Sequence, residues 1–209
     1  MRPFIVAFLF LILLAPSIAS AQKGGEQVQT TYDCAEDCPE TPFDPINKSS
    51  SHTFNFGGCT WRVYFLYRQT TGCSTGEYCD IQVTQVRCLT VPPCTTYTTA
   101  QIFNVASVEA IKAALAAGLL TCDPVYPNCA TNWRVDAGSC WKQGSFNYGS
   151  IDIPDWVYIV GPCSVDGVCC YFAYTLCRDQ YNNLIVTQTS TSSNAVVCPS
   201  GCTKICGQL

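Results

Sequence analysis

The sequence predicts a mostly β, disulfide-rich fold: an antiparallel sandwich or meander of sheets with one inserted α-helix near residues 107–118. Three observations carry that expectation. Several segments rich in Thr, Tyr, Val and Ile alternate with period two, as half-buried strands do. A single Ala-rich stretch repeats its apolar residues at helical spacing. The third is sulfur: 17 cysteines run from Cys34 to Cys206 in 209 residues, near the roughly 8–10% that marks disulfide scaffolds.

Residues 1–21 read as a secretory signal. Arg2 precedes an apolar run from Phe4 to Leu14, and Ala19-Ser20-Ala21 offers a small-residue cleavage site before Gln22. The run is shorter than the about 20 residues of a membrane span. The expected product is therefore secreted or extracellular, at a cell surface or in a bacterial periplasm, with no membrane span after cleavage. Its cysteines would meet an oxidising compartment, where paired thiols persist. Their odd number leaves at least one sulfur free, modified or bonded to another chain.

Residues 22–52 are expected to form an irregular arm. Gly24, Gly25, Pro39, Pro42 and Pro45 interrupt regular structure, and Cys34 and Cys38 can pin it. Asn47-Lys48-Ser49 is a glycosylation sequon, meaningful only in a host that modifies such sites. One disulfide-stapled domain, 53–209, is expected to follow.

In that domain, Thr60 to Arg68 alternates: Trp61, Val63, Phe65 and Tyr67 on one face, Arg62, Tyr64, Leu66 and Arg68 on the other. A second strand, Cys79 to Leu89, ends before Pro92 and Pro93. For the helix, Ser107 is the expected cap, Glu109 suits the first turn, and Gly118 can close it. Its expected apolar stripe is Val108, Ile111, Leu115 and Leu119.

Two hairpins are expected next. Asp136-Ala137-Gly138 would join Asn132–Val135 to Ser139–Lys142, setting Trp133 opposite Trp141. Asp166-Gly167 would pair Trp156–Cys163 with Cys170–Cys177, setting Cys163 opposite Cys170. Strands at Leu184–Thr189 and Ala195–Cys198 complete the reading. Cys59–Arg68 can also be laid over Cys169–Arg178, which suggests two related halves, about 53–99 and 151–209, facing one another as sheets.

Chemistry is thin. His52 is the only histidine, and any Ser–His–Asp or Cys–His site would depend on it. Asp152 and Asp155, beside Trp156, are the nearest carboxylate pair for glycoside hydrolysis, though Asp around a Pro commonly just forms turns. Cys198, Cys202 and Cys206 have a spacing that zinc would tolerate, but no histidine joins them, so disulfides are expected there, as at Cys163, Cys169, Cys170 and Cys177. Adjacent Cys169 and Cys170 point to opposite faces of a strand and would staple it in two directions. No cofactor is expected. Charged residues are only 12% and the net charge is −4, so nucleic acid is not an expected partner.

Aromatic abundance is the best pointer to binding. Trp133, Trp141, Trp156 and Tyr148 are the candidate platforms, with core packing the default for each taken singly. The expected function is a non-enzymatic structural or adhesive surface module that assembles with itself or another surface protein. The alternative is a soluble carbohydrate- or protein-binding, inhibitor-like domain. A small carboxylate-dependent hydrolase is the remote third.

Overall fold

The computed structural model describes residues 43, 50–74, 76–147, 156–163, 169–192 and 196–207. Within them the chain is mostly strand with one helix. The strands are β1 (Ser50–Phe56), β2 (Cys59–Cys73), β3 (Gly76–Cys88), β4 (Cys129–Gly138), β5 (Cys140–Asn147), β6 (Trp156–Pro162), β7 (Cys169–Arg178), β8 (Leu184–Thr191) and β9 (Thr203–Lys204). The helix, α1, spans Thr99–Ala116. The expected signal segment, most of the expected arm and Asn47 lie outside the described residues. β1 starts within the expected arm, where Ser50 to His52 pair with Phe65 to Val63.

Gly57 and Gly58 turn β1 into β2, with φ of 61° and 78°. Two successive positive φ values make the tight turn whose twist matches a hairpin. β2 and β3 then pair along nearly their whole lengths. The far side of β3 is shared. Cys79 to Gln82 pair in parallel with β4, whereas Val86 to Cys88 pair antiparallel with β6. Thr84 lies between these stretches as a bulge in the β2–β3 register, its hydroxyl donating to the Tyr64 carbonyl at 3.1 Å. A bulge bends a strand and shifts its side-chain phase. Accordingly Cys79, Ile81 and Val83 face the core before it, and Val86 and Cys88 after it.

The sheet therefore branches at β3 into two wings, β4-β7-β8 and β6-β5-β9. This corrects several expectations. β4 and β5 are no hairpin: β4 lies between β3 and β7, and β5 between β6 and β9. Nor do β6 and β7 pair, so Cys163 does not face Cys170. Residues 196–198 are not strand. The pattern also includes one parallel pair, so it is mixed and not wholly antiparallel. In the suggested overlay, β2 buries Trp61, Val63 and Phe65 and β7 buries Cys170, Phe172 and Tyr174, one residue out of step, while Cys59 with Cys169 and Leu66 with Leu176 are buried in both. Both strands also belong to one sheet.

Helix α1 begins earlier than Ser107 suggests. Thr98 caps it, its hydroxyl accepting from the Gln101 N–H at 3.2 Å, and Gln101 returns the bond to the Thr98 N–H at 2.9 Å. That is a capping box. Ser107 is buried inside the helix, donating to the Phe103 carbonyl. Gly118, with φ 63°, ends it as expected: the Gly118 and Leu119 N–H groups return to Leu115 and Ala114. The buried stripe is Ile102, Phe103, Ala106, Ala110, Ile111 and Ala114. Val108, Leu115 and Leu119 are only partly buried beside it. Small alanines let the helix lie close on the sheet. Phe103 wedges between the wings, 4.9 Å from the Trp141 ring and 5.1 Å from that of Phe172.

Disulfides fasten this arrangement. Cys59–Cys94 and Cys79–Cys122 tie the segments before and after α1 to β2 and β3. Cys129–Cys177 joins register partners on β4 and β7. The C-terminal segment then clasps three places through Cys140–Cys198, Cys163–Cys202 and Cys170–Cys206. With Cys170 on one wing and Cys206 beside the other, the last bond rejoins what branched at β3. Each such link stabilises by about 2–4 kcal/mol, chiefly by restricting the unfolded chain. The six disulfides between described residues point to an oxidising, extracellular-type environment.

Candidate interaction surface

Two of the four proposed platforms are closed. Trp133 and Trp141 are each 0% exposed. Their indole N–H groups donate to the Cys122 and Gly138 carbonyls at 2.9 and 2.8 Å, which satisfies the one polar atom each brings inside. They are core residues, and they sit on different wings instead of facing across a hairpin. Trp156 opens β6, but its side chain is outside the described residues, as is Tyr148. Asp152 and Asp155 are also outside them.

The cysteine chemistry is structural. Cys163, Cys170, Cys177, Cys198, Cys202 and Cys206 are spent in the disulfides above, and Cys169 is also disulfide-bonded. With Cys170 committed to Cys206, the adjacent pair does not bond to itself. Among the described residues the free thiol is Cys88, which is buried. No group of His, Cys, Asp and Glu that could hold a metal occurs among the described residues. His52 lies on β1, its Nε2 3.7 Å from a Glu109 carboxylate oxygen on α1. Glu109 also meets Lys112 Nζ at 2.8 Å. These contacts clip the outer strand to the helix.

Sequence reasoning missed a charged row on the sheet face opposite α1. Arg68, Asp80 and Arg134 are cross-strand neighbours on β2, β3 and β4. Asp80 is 0% exposed. It accepts from Arg134 Nε and Nη2 at 2.8 and 2.9 Å and from Arg68 Nε at 2.9 Å. Asp136, in the next row, lies 3.6 Å from Arg68 Nη2. The Arg68 guanidinium covers the Phe43 ring at 4.2 Å, and that of Arg134 covers Tyr78 at 3.8 Å. Such flat, weakly hydrated cations tolerate burial against rings. Alternation on β2 marked Arg68 as outward-facing, but here outward is not exposed. The row is buried and holds strands in register.

What the fold leaves open is its margin. β8 ends the first wing, and its outer edge pairs with no described strand. Ile185, Thr187 and Thr189 are exposed, while Leu184 and Val186 lean on the core. No charged residue occurs from Leu184 to Thr203. At the Leu184 end two loops are braced together. Arg178 grips Asp123 with Nη2 contacts of 2.8 and 3.1 Å, and Cys129–Cys177 lies beside it. Asp179 accepts from the Tyr181 and Asn183 N–H groups and from Asn183 Nδ2, all at 2.8 Å. These bonds, those from Asn183 foremost, hold its carboxyl below the usual range. The braced loops present Val125, Tyr126 and Tyr181, each more than half exposed.

No helix among the described residues is long and apolar enough to cross a membrane. No family model matches the chain, and neither a curated protein nor a solved structure matches it.

Proposed function

We propose that the chain is a secreted, non-enzymatic structural or adhesive module that works at a surface and assembles with copies of itself. The observation that carries this reading is the uncharged outer edge of β8 on a sheet that disulfides hold rigid. Edge strands of soluble proteins are usually blunted by Lys, Pro or inward charges, because their free N–H and C=O groups template pairing. β8 carries none of those devices along Leu184–Gln188. A rigid edge also loses little entropy on pairing, which favours association.

Sedimentation equilibrium of the oxidised, secreted protein tests this. Association should strengthen with concentration, and electron microscopy of the concentrated sample should show ordered particles. A monomer at every accessible concentration removes the self-assembly reading. The second reading, a glycan-binding module, draws on the exposed Tyr126 and Tyr181. It requires binding on a glycan panel that Tyr181→Ala abolishes.

A further inference from the structure

We infer that Arg62 and Arg87, on the outer face of β2 and β3, together bind a tetrahedral oxyanion of the sulfate or phosphate type. Such a site is independent of how copies associate. The two arginines are register partners on adjacent antiparallel strands. Trp61 and Val63 flank Arg62, and Val86 and Cys88 flank Arg87, all four in the core. Alternation therefore places both arginines on the face opposite α1. Side chains directly opposite start only about 4.5–5.5 Å apart, and like charges so placed destabilise a ladder. One small anion can span both cations and remove that repulsion.

The other end of the same face shows how this chain neutralises arginine from within. Arg68 and Arg134 are met there by Asp80 and Asp136. No carboxylate of a described residue does this for Arg62 or Arg87. Asp136 is paired with Gln82, roughly 16 Å along β3 from Arg87, and Asp80 is farther still. Ile159, the neighbour of Arg87 on β6, has no polar side-chain atom. Arg62 gives its Nε to the Thr53 hydroxyl at 3.2 Å. Arg87 Nε is buried with no hydrogen-bond partner, an uncommon state for a buried polar atom.

The ligand class follows from the donors. Each guanidinium carries five N–H groups in a planar fork, and such forks donate in parallel pairs to the oxygens of phosphate-like ions. Two forks side by side suit an ion with several acceptor oxygens. Tyr64 and Gln85, the next facing pair on this face, add a hydroxyl and an amide. They extend the hydrogen bonding beyond the charged centre, toward whatever carries the anion. The chain's net charge is −4, which repels anions at long range. Capture here therefore depends on these two arginines and not on a general attraction.

Calorimetric titration of the full oxidised protein tests the site, with sodium sulfate, sodium phosphate and a monosaccharide sulfate ester as probes at constant ionic strength in chloride. Arg62→Gln and Arg87→Gln should each weaken binding roughly tenfold or more. Arg87→Lys keeps the charge without the fork and should fall between. In chloride alone, Arg87→Gln should melt no lower than wild type, because the like-charge pair is gone. Low-millimolar sulfate should then raise the melting temperature of wild type but not of Arg87→Gln. That difference separates binding from the general stabilisation sulfate gives any protein. Tighter binding of the ester identifies an anion displayed on a sugar as the ligand, and equal or weaker binding identifies the free ion; either supports the site. No binding of any probe, or binding that neither glutamine variant weakens, overturns it.

Discussion

Arg134 shows how single residues hold this sheet. Its guanidinium is fixed by Asp80 on one side and the Tyr78 ring on the other. Arg134→Ala strips two of the three charged hydrogen bonds from a carboxylate with no exposure, and breaking a buried pair this way costs about 3–5 kcal/mol. A free energy of unfolding lowered by that amount in a denaturant titration is the expected result. Gly57 is fixed by different physics. Its φ is 61°, and an added Cβ would overlap the Tyr97 ring, so Gly57→Ala should destabilise by roughly 1–3 kcal/mol, read in the same titration.

Tyr174 gives a pH dependence. Burial pushes its phenol well above the ordinary 10.0, and a neighbouring Ser107 only partly offsets this. The folded chain thus keeps a proton that the unfolded chain loses. Stability from this residue is whole below about pH 10 and falls as pH rises beyond it. Tyr174→Phe should flatten that alkaline loss in urea titrations at pH 9 and 10.5. Little of this residue detail was legible in advance. Alternation identified the inner face of β2 through Trp61, Val63 and Phe65, but it is blind to a second layer, so it does not show that Leu66 and Arg68 on the other face are buried as well. Trp133 and Trp141 are closed to a ligand for a related reason: composition says an aromatic needs a partner, not which face supplies it.

At the scale of elements, α1 is the instructive case. Its Ala-rich C-terminal half and Gly118 are local signals, and they placed that end correctly. Thr98-x-x-Gln101 is a local signal too, a capping box overlooked in favour of Ser107. Thr98→Ala should cost about 1 kcal/mol, the usual worth of a cap. Phe103→Ala should cost more, about 3–5 kcal/mol, by emptying the wedge between Trp141 and Phe172. Thermal melts of the two variants should differ in that order. The strands were legible as strands, but their pairings were not. Asp136-Ala137-Gly138 resembles a hairpin loop, yet β4 pairs instead with β3 and β7, which occupy both its edges. A turn signal proposes a pairing; distant packing decides it.

For the whole molecule, the decisive contacts are long-range and covalent. Cys170–Cys206 spans 36 residues and Cys140–Cys198 spans 58, separations at which spacing carries no pairing information. Cysteine density could announce a scaffold but not the clasp that rejoins the two wings. That clasp lets a branched sheet keep a rigid outer edge, and the proposed assembly depends on such an edge. Replacing Cys170 and Cys206 together by Ser should cost about 2–5 kcal/mol and speed exchange in β7 and β8 before it affects β1.

The most direct test is a non-reducing peptide map of the native protein, alkylated before and after unfolding. Linked peptides should join Cys140 to Cys198, Cys163 to Cys202 and Cys170 to Cys206, with Cys88 labelled only once the chain is unfolded. Linkage of the three C-terminal cysteines to one another, or their labelling as free thiols in the native protein, would contradict the account.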